Sequence, residues 1–167
     1  NLGYKMLIRE AKLKDANPIL DIWDDFMRDN DEIMLKRASW KKRIRKRDSR
    51  AKTEFKKHLT KNIKSKNGGV YIAVSDGAIV GYILFYIKEN IPVFNIKKIG
   101  YISDLYVVKR FRKRKISSEF KNKAIEWFRK RKIEYVTIAH ISENIKANKI
   151  YKKWGFFEES ITLWKKI

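Results

Sequence analysis

Two periodicities alternate in the chain beyond residue 98, and that alternation narrows the folds open to it. Ile99 to Val108 reads as a strand, and Arg112 to Arg131 carries Ile116, Phe120, Ala124 and Trp127 at helical spacing. Ile133 to Ile141 is strand-like again, and Asn144 to Trp154 is helical again. A strand followed by a helix and another strand implies parallel pairing in one sheet, with the helix packed across it. Upstream the pattern differs. Val70 to Val74, the turn residues Ser75-Asp76-Gly77, and Ile79 to Ile87 spell an antiparallel hairpin.

The N-terminal part supplies a short strand, Lys5 to Arg9, and then helix. Asn17-Pro18 is a helix start, a capping side chain followed by a proline tolerated in the first turn. Ile19, Leu20, Ile22, Trp23, Phe26 and Met27 form its apolar stripe. A second helical region presents Ile33, Arg37, Trp40 and Ile44 and continues through Ala51, Phe55, Leu59 and Ile63 to a stop at Gly68-Gly69. Phe156 to Lys166 reads as a closing hairpin. The predicted order is β-α-α-β-β-β-α-β-α-β-β, an α/β fold (α+β mixed sheet) with helices on both faces, in one domain spanning 1–167.

A length of 167 residues with 44% hydrophobic and 13% aromatic content suits a folded core rather than a disordered chain. There is no cysteine, which excludes disulfides and a cysteine nucleophile. The two histidines, His58 and His140, are too few for a zinc or iron site, so no metal is expected. No run approaches the roughly 18 uninterrupted apolar residues of a membrane span, and no secretory signal is visible, so a cytoplasmic location is expected. A start on Asn1 rather than Met suggests a missing or processed N-terminus.

The net charge is +22, from 41 Lys and Arg against 19 Asp and Glu. Such a field attracts polyanions, whether nucleic acid, an acidic membrane or the phosphates of a nucleotide cofactor, and it also describes a solvated lysine-rich surface. The charge is uneven. Lys36 to Lys66 holds only Asp48 and Glu54 as acids, whereas Asp21, Asp24, Asp25, Asp29, Asp31 and Glu32 face only Arg28.

Two segments carry chemistry. From Asp104 a strand runs through the basic turn Arg112-Lys113-Arg114-Lys115 into the helix beginning Ile116-Ser117-Ser118. The free N–H groups and dipole of a helix N-terminus suit a pyrophosphate, and the neighbouring cations add charge. The second segment is Asn144-x-x-Ala147-x-x-x-Tyr151-x-x-Trp154-Gly155-Phe156, in which Asn144 can cap a helix and Ala147, Tyr151 and Trp154 share a face.

With these segments and this element order, the chain resembles the GNAT superfamily of acetyl-CoA-dependent N-acetyltransferases. The second segment matches the family's N-x-x-A-x-x-x-Y-x-x-x-G-F pattern at every fixed position, and Tyr71 to Val74 with Ile79 to Tyr82 looks like its central strands. The basic turn resembles its R-x-x-G-x-G loop in keeping Arg112, but Lys115 and Ser117 stand where glycines usually let the backbone approach the pyrophosphate.

The resemblance implies acetyl-CoA as co-substrate, seated where Ile99–Val108 and Ile133–Ile141 splay apart. The backbone of Leu105, Tyr106 and Val107 would hold the pantetheine arm and polarise the thioester carbonyl. Arg112, Lys113, Arg114, Lys115, Ile116, Ser117 and Ser118 would surround the pyrophosphate, and Asn144 would touch the cofactor. Tyr151 takes the position of the general acid, with a core aromatic as its plainer role. Asp104 is the first candidate general base and Glu143 the second. His140 reads as a hydrogen-bonded core residue and His58 as a surface one.

The acidic stretch Asp21 to Glu32 would border the acceptor site, as a lure for a cationic amine or as a solvated helix face. The expected acceptor is a protein N-terminus, a lysine or a small amine, and the protein is expected to be a monomer or homodimer. The competing function is nucleic-acid binding on the same scaffold with catalysis weak or lost, using Lys36–Lys66, Lys109–Lys115 and exposed aromatics such as Trp40.

Overall fold

A computed structural model describes residues 6–167. Its elements are β1 (Met6–Glu10), α1 (Ala16–Ala38), α2 (Ala51–Lys64), β2 (Gly68–Ser75), β3 (Ala78–Glu89), β4 (Lys98–Val107), α3 (Ile116–Lys130), β5 (Val136–Ile138) and α4 (Ile145–Lys153). The strands lie in the order β1-β2-β3-β4-β5. The first three pairings are antiparallel and β4–β5 is parallel, the mixed sheet expected from the sequence.

The period-2 alternation of β3 divides the core. Tyr82 and Leu84 face one side and pack with Ile19 and Trp23 of α1 and Leu59 of α2. Ile83 and Phe85 face the other side and pack with Phe120, Ala124 and Phe128 of α3. Burying each of these phenylalanines contributes about 2–3 kcal/mol. Their fit depends on Gly100, where a Cβ would lie 2.7 Å from the Phe128 ring.

Several boundaries differ from the sequence expectation. Helix α1 begins at Ala16, so Asn17 and Pro18 fall inside its first turn, where the N–H that proline lacks would have no helical partner. Asp15 precedes it and takes the Lys12 N–H at 2.7 Å and both guanidinium nitrogens of Arg9. Helix α1 also absorbs Ile33 and Arg37, while Trp40 falls in the following 3-10 turn Ser39–Arg43 and Ile44 just beyond it. Gly68 and Gly69 do not end a helix but open β2. Lys5 lies outside the described residues.

Helix α3 starts at Ile116 rather than Arg112, because Lys113 and Lys115 take left-handed backbone angles that a helix cannot contain. Strand β5 is three residues long instead of nine. The closing hairpin does not form: residues 156–167 are neither helix nor strand. Glu158-Glu159-Ser160 lacks the chemistry of a tight hairpin turn, and Phe157, Ile161, Leu163 and Trp164 stay exposed with no face to bury. Among the described residues no helix is long and apolar enough to cross a membrane.

Candidate active site

The site grows from a parting of two strands. Pairing of β4 with β5 stops at Ile102 and Ile138, and beyond it, among the described residues, β4 keeps only β3 as a strand partner. The parting begins at a bulge. Leu84 faces Asp104 and Phe85 faces Ile102, which leaves Ser103 as the extra residue. Strict alternation would put residues 102 and 104 on one face. The extra residue instead sends Ile102 into the α3 core and Asp104 toward Tyr82.

Asp104 is 8% exposed. The Tyr82 hydroxyl donates to its Oδ2 at 2.6 Å and the Ser103 hydroxyl to its Oδ1 at 2.6 Å. Burial pushes its pKa up, against the opposing pull of these two donors. Among the described residues no lysine or arginine pairs with it, although the protein carries 41 of them. His58, expected at the surface, is half-buried with its ring edge-on to Tyr86 at 5.3 Å. Burial lowers its pKa, partly offset by the charge of Asp104.

Beyond the bulge the Val108 N–H donates to Val80 O at 2.9 Å, toward β3. Alternation then turns the backbone groups of Val107 and Leu105 to the open side and those of Tyr106 to β3. Two contacts agree with that reading. The Val107 carbonyl accepts Arg112 Nε at 2.8 Å, and a Cβ on Gly81 of β3 would lie 2.8 Å from the Tyr106 carbonyl.

The basic turn is anchored to α1. Arg112 donates to Asp29 Oδ2 at 2.7 Å, Lys109 lies 2.9 Å from Asp29 Oδ1, and the Tyr106 hydroxyl donates to Asp29 at 3.0 Å. Lys113 and Lys115 have φ of 65° and 62°. A left-handed residue other than glycine costs about 1–2 kcal/mol, so the backbone keeps the shape that a glycine would favour. No side chain caps α3 at Lys115, and the Glu119 N–H is the first to find a carbonyl inside it. The N–H groups of Ile116, Ser117 and Ser118 therefore point out of the helix start, beside exposed Lys113 and Lys115 and beside Arg114, whose guanidinium lies over Phe111.

Most of the acidic stretch of α1 is engaged in ion pairs, Asp21 excepted. Asp24 meets Lys52, Asp25 meets Arg28, Asp31 meets Arg45 and Arg47, and Glu32 meets Lys109. Of the fifteen lysines and arginines from Lys36 to Lys66, these pairs engage Arg45, Arg47 and Lys52. Glu143, the second base candidate, is bound to Lys41, which also reaches Ser142 Oγ at 2.9 Å, and the contact holds its carboxyl below the usual range.

Asn144 caps α4, its Oδ1 accepting the Ala147 N–H at 3.0 Å. Tyr151 sits among His140, Trp154 and Phe156, with ring centroids 5.9, 5.7 and 6.3 Å away. Burial pushes its pKa up to about 12, so the phenol holds its proton at neutral pH. His140 is exposed rather than in the core, its Nδ1 2.8 Å from the Ile141 carbonyl. Among the described residues no cluster of three histidine or carboxylate side chains is placed to hold a metal. Ser103 was not singled out by the sequence, Tyr82 figured only as a strand residue and Asp29 only as one member of the acidic stretch; the register of β3 on β4 and the fold of α1 over β4 bring them to these contacts.

Compared with known proteins, residues 21–156 match the family model described as the acetyltransferase (GNAT) family. No curated protein sequence matches. Solved structures do. The tetramutant of the BH1408 protein from Bacillus halodurans superposes with a TM-score of 0.79 at 18% identity, covering 96% of this chain and 99% of that one. A predicted acetyltransferase with acetyl-CoA from Clostridium acetobutylicum gives 0.77 at 17% identity, covering 97% and 96%. The aminoglycoside N-acetyltransferase AAC(6')-Iy in complex with CoA gives 0.73 at 14% identity, covering 98% and 96%. At these identities the likeness is one of fold.

Proposed function

This chain belongs to the acetyltransferase (GNAT) family, and from that premise we propose that it moves the acetyl group of acetyl-CoA onto a primary amine of a protein, a peptide or a small molecule. The observation that carries the proposal is the parting of β4 from β5, which turns the backbone of Leu105 and Val107 to an open side next to the uncapped start of α3.

The residues present fit the co-substrate. The Leu105 and Val107 N–H groups are free to bond the pantetheine amides and to polarise the thioester carbonyl, which stabilises the oxyanion of a tetrahedral intermediate. The N–H groups of Ile116, Ser117 and Ser118 receive the pyrophosphate, with Lys113, Arg114 and Lys115 supplying charge. Arg112, engaged with Asp29 and the Val107 carbonyl, fixes the turn. Tyr106 contributes its side chain to that anchor, and Asn144 sets the start of α4 beside the bound acetyl-CoA.

The amine nitrogen attacks the acetyl carbon, and the carbon–sulfur bond breaks. The departing sulfur takes the phenolic proton of Tyr151. The proton lost by the nitrogen goes to Asp104, whose buried position raises its basicity. A neutral amine is required, and an α-amine with a pKa near 7.7–8.0 supplies it more readily than a lysine at about 10.4.

Titration calorimetry with acetyl-CoA tests the reading. Saturable binding at micromolar concentration is expected, weakened when Ser117→Asp puts a carboxylate at the start of α3. Absence of heat at millimolar acetyl-CoA rules the reading out.

A further inference from the structure

At the end of the sheet remote from the site, the connection between β3 and β4 inverts the usual construction of a solvent loop. Several of its polar groups bond within the loop. The Asn90 N–H donates to Lys97 O at 2.7 Å, Asn90 Nδ2 to Ile96 O at 2.9 Å, and the Ile91 N–H to Asn90 Oδ1 at 2.8 Å. The Phe94 N–H donates to Ile91 O at 3.1 Å, and Lys97 Nζ to Pro92 O at 2.6 Å. Its apolar side chains turn outward, with Ile91, Val93 and Phe94 exposed to 60%, 81% and 51%. Isolated apolar side chains on a surface need no explanation, but three on one hydrogen-bonded tip form a built feature.

The flanking turns are basic. The Ile87 N–H donates to Asn67 O at 2.8 Å, which brings the α2–β2 turn to this end. The Gly100 N–H donates to Tyr135 O at 2.9 Å, which brings the end of α3 there too. Residues 64–67, 88–98 and 129–135 together hold nine lysines and arginines against Glu89 and Glu134. Strand β4 leads from Lys98 at this tip to Val107 at the basic turn, roughly 30 Å at the rise of a strand. A surface bound here leaves the candidate active site open.

We infer that this end of the sheet seats against an anionic lipid surface. Ile91, Val93 and Phe94 enter the boundary between headgroups and acyl chains, and the flanking lysines lie over acidic headgroups. Two observations choose lipid over nucleic acid. Asn90, Ile91, Phe94 and Lys97 direct polar groups to partners within the tip, as an apolar medium favours and as a phosphate backbone does not require. The inserted groups are also mainly aliphatic, whereas single-strand binding stacks bases on several aromatic rings. Tyr135, 49% exposed beside the tip, suits the interfacial level where aromatic rings collect.

Cosedimentation of the intact protein with lipid vesicles is the test. Partition onto phosphatidylcholine vesicles doped with phosphatidylglycerol is expected to exceed partition onto phosphatidylcholine alone by about tenfold or more. Val93→Asp with Phe94→Asp is expected to lower it about tenfold with the melting temperature unchanged, since both side chains are exposed. Lys98→Gln with Lys132→Gln is expected to lower partition onto the acidic vesicles only. Three results overturn the inference: no partition onto acidic vesicles, equal partition of the Val93/Phe94 variant and the wild type, or tighter binding to a single-stranded oligonucleotide that the Val93/Phe94 variant leaves intact.

Discussion

The Tyr82 hydroxyl on β3 holds the buried carboxylate of Asp104 on β4 by a hydrogen bond of 2.6 Å. The contact exists because the bulge at Ser103 turns Asp104 off the face occupied by Ile102. It leaves a carboxylate in the core with neutral donors and no cation, an arrangement that favours proton uptake over permanent charge.

Asp104→Asn therefore separates stability from turnover. The folded-state pKa of Asp104 is raised, so its stabilising protonated form is complete below the unfolded carboxylate value of about 3.9. That contribution is lost as pH rises through the higher folded value. Urea unfolding across acidic and neutral pH is expected to show the wild type losing ground to Asp104→Asn as pH rises. Acetyl transfer by the variant is expected to fall about 10²–10⁴-fold. Parallel stability curves and unchanged turnover would contradict the assignment.

Asp29 behaves in the opposite sense. Burial pushes its pKa up, but the hydrogen bonds from Lys109, Arg112 and Tyr106 outweigh it and hold the carboxyl below its ordinary value. Its contribution is present above about pH 3.9 and is lost as pH falls through the lower folded value. Asp29→Ala is expected to cost about 2–3 kcal/mol, because Arg112, Lys109 and the Tyr106 hydroxyl lose the partly buried acceptor that they share. Asp25→Ala, which breaks an exposed pair with Arg28, is expected to cost less than about 1 kcal/mol. Chemical denaturation of the two variants side by side checks the contrast.

Lys115→Gly relieves a left-handed residue at φ 62°. The relief of about 1–2 kcal/mol is reduced by the greater freedom of glycine in the unfolded chain, which leaves about 0.5–1 kcal/mol of stabilisation. A rise in the midpoint of urea unfolding is the expected readout. A fall would mean that the lysine side chain, and not the backbone shape, holds the turn.

The parts of the fold that sequence reasoning reached are those set by local chemistry. Asn144 caps α4 as its position before a helical stripe suggested, and the hairpin around Asp76-Gly77 closes as its turn residues dictate. The parts it missed depend on contacts distant along the chain. Arg112 meets Asp29 across 83 residues, so neither the anchoring of the basic turn nor the neutralisation of the acidic stretch was visible in local charge patterns. His58 is half-buried because Tyr86 of β3 meets its ring, which a basic helix by itself does not reveal. The closing segment alternates enough to suggest strands, yet among the described residues no strand pairs with it, and its ties are the Phe156 contact with Tyr151 and the Glu158 pair with Lys152.

The central claim is that acetyl-CoA gives its acetyl group to an amine where β4 parts from β5. Thiol release from acetyl-CoA, followed with a library of peptides bearing free α-amines and lysines while mass spectrometry counts acetylated product, tests it most directly. The account predicts thiol release that requires the amine, one acetylated amine per thiol, and a fall of about 10²-fold or more in Tyr151→Phe with acetyl-CoA binding retained. Acetyl-CoA that binds but releases no thiol with any amine, or thiol release without acetylated product, would contradict it.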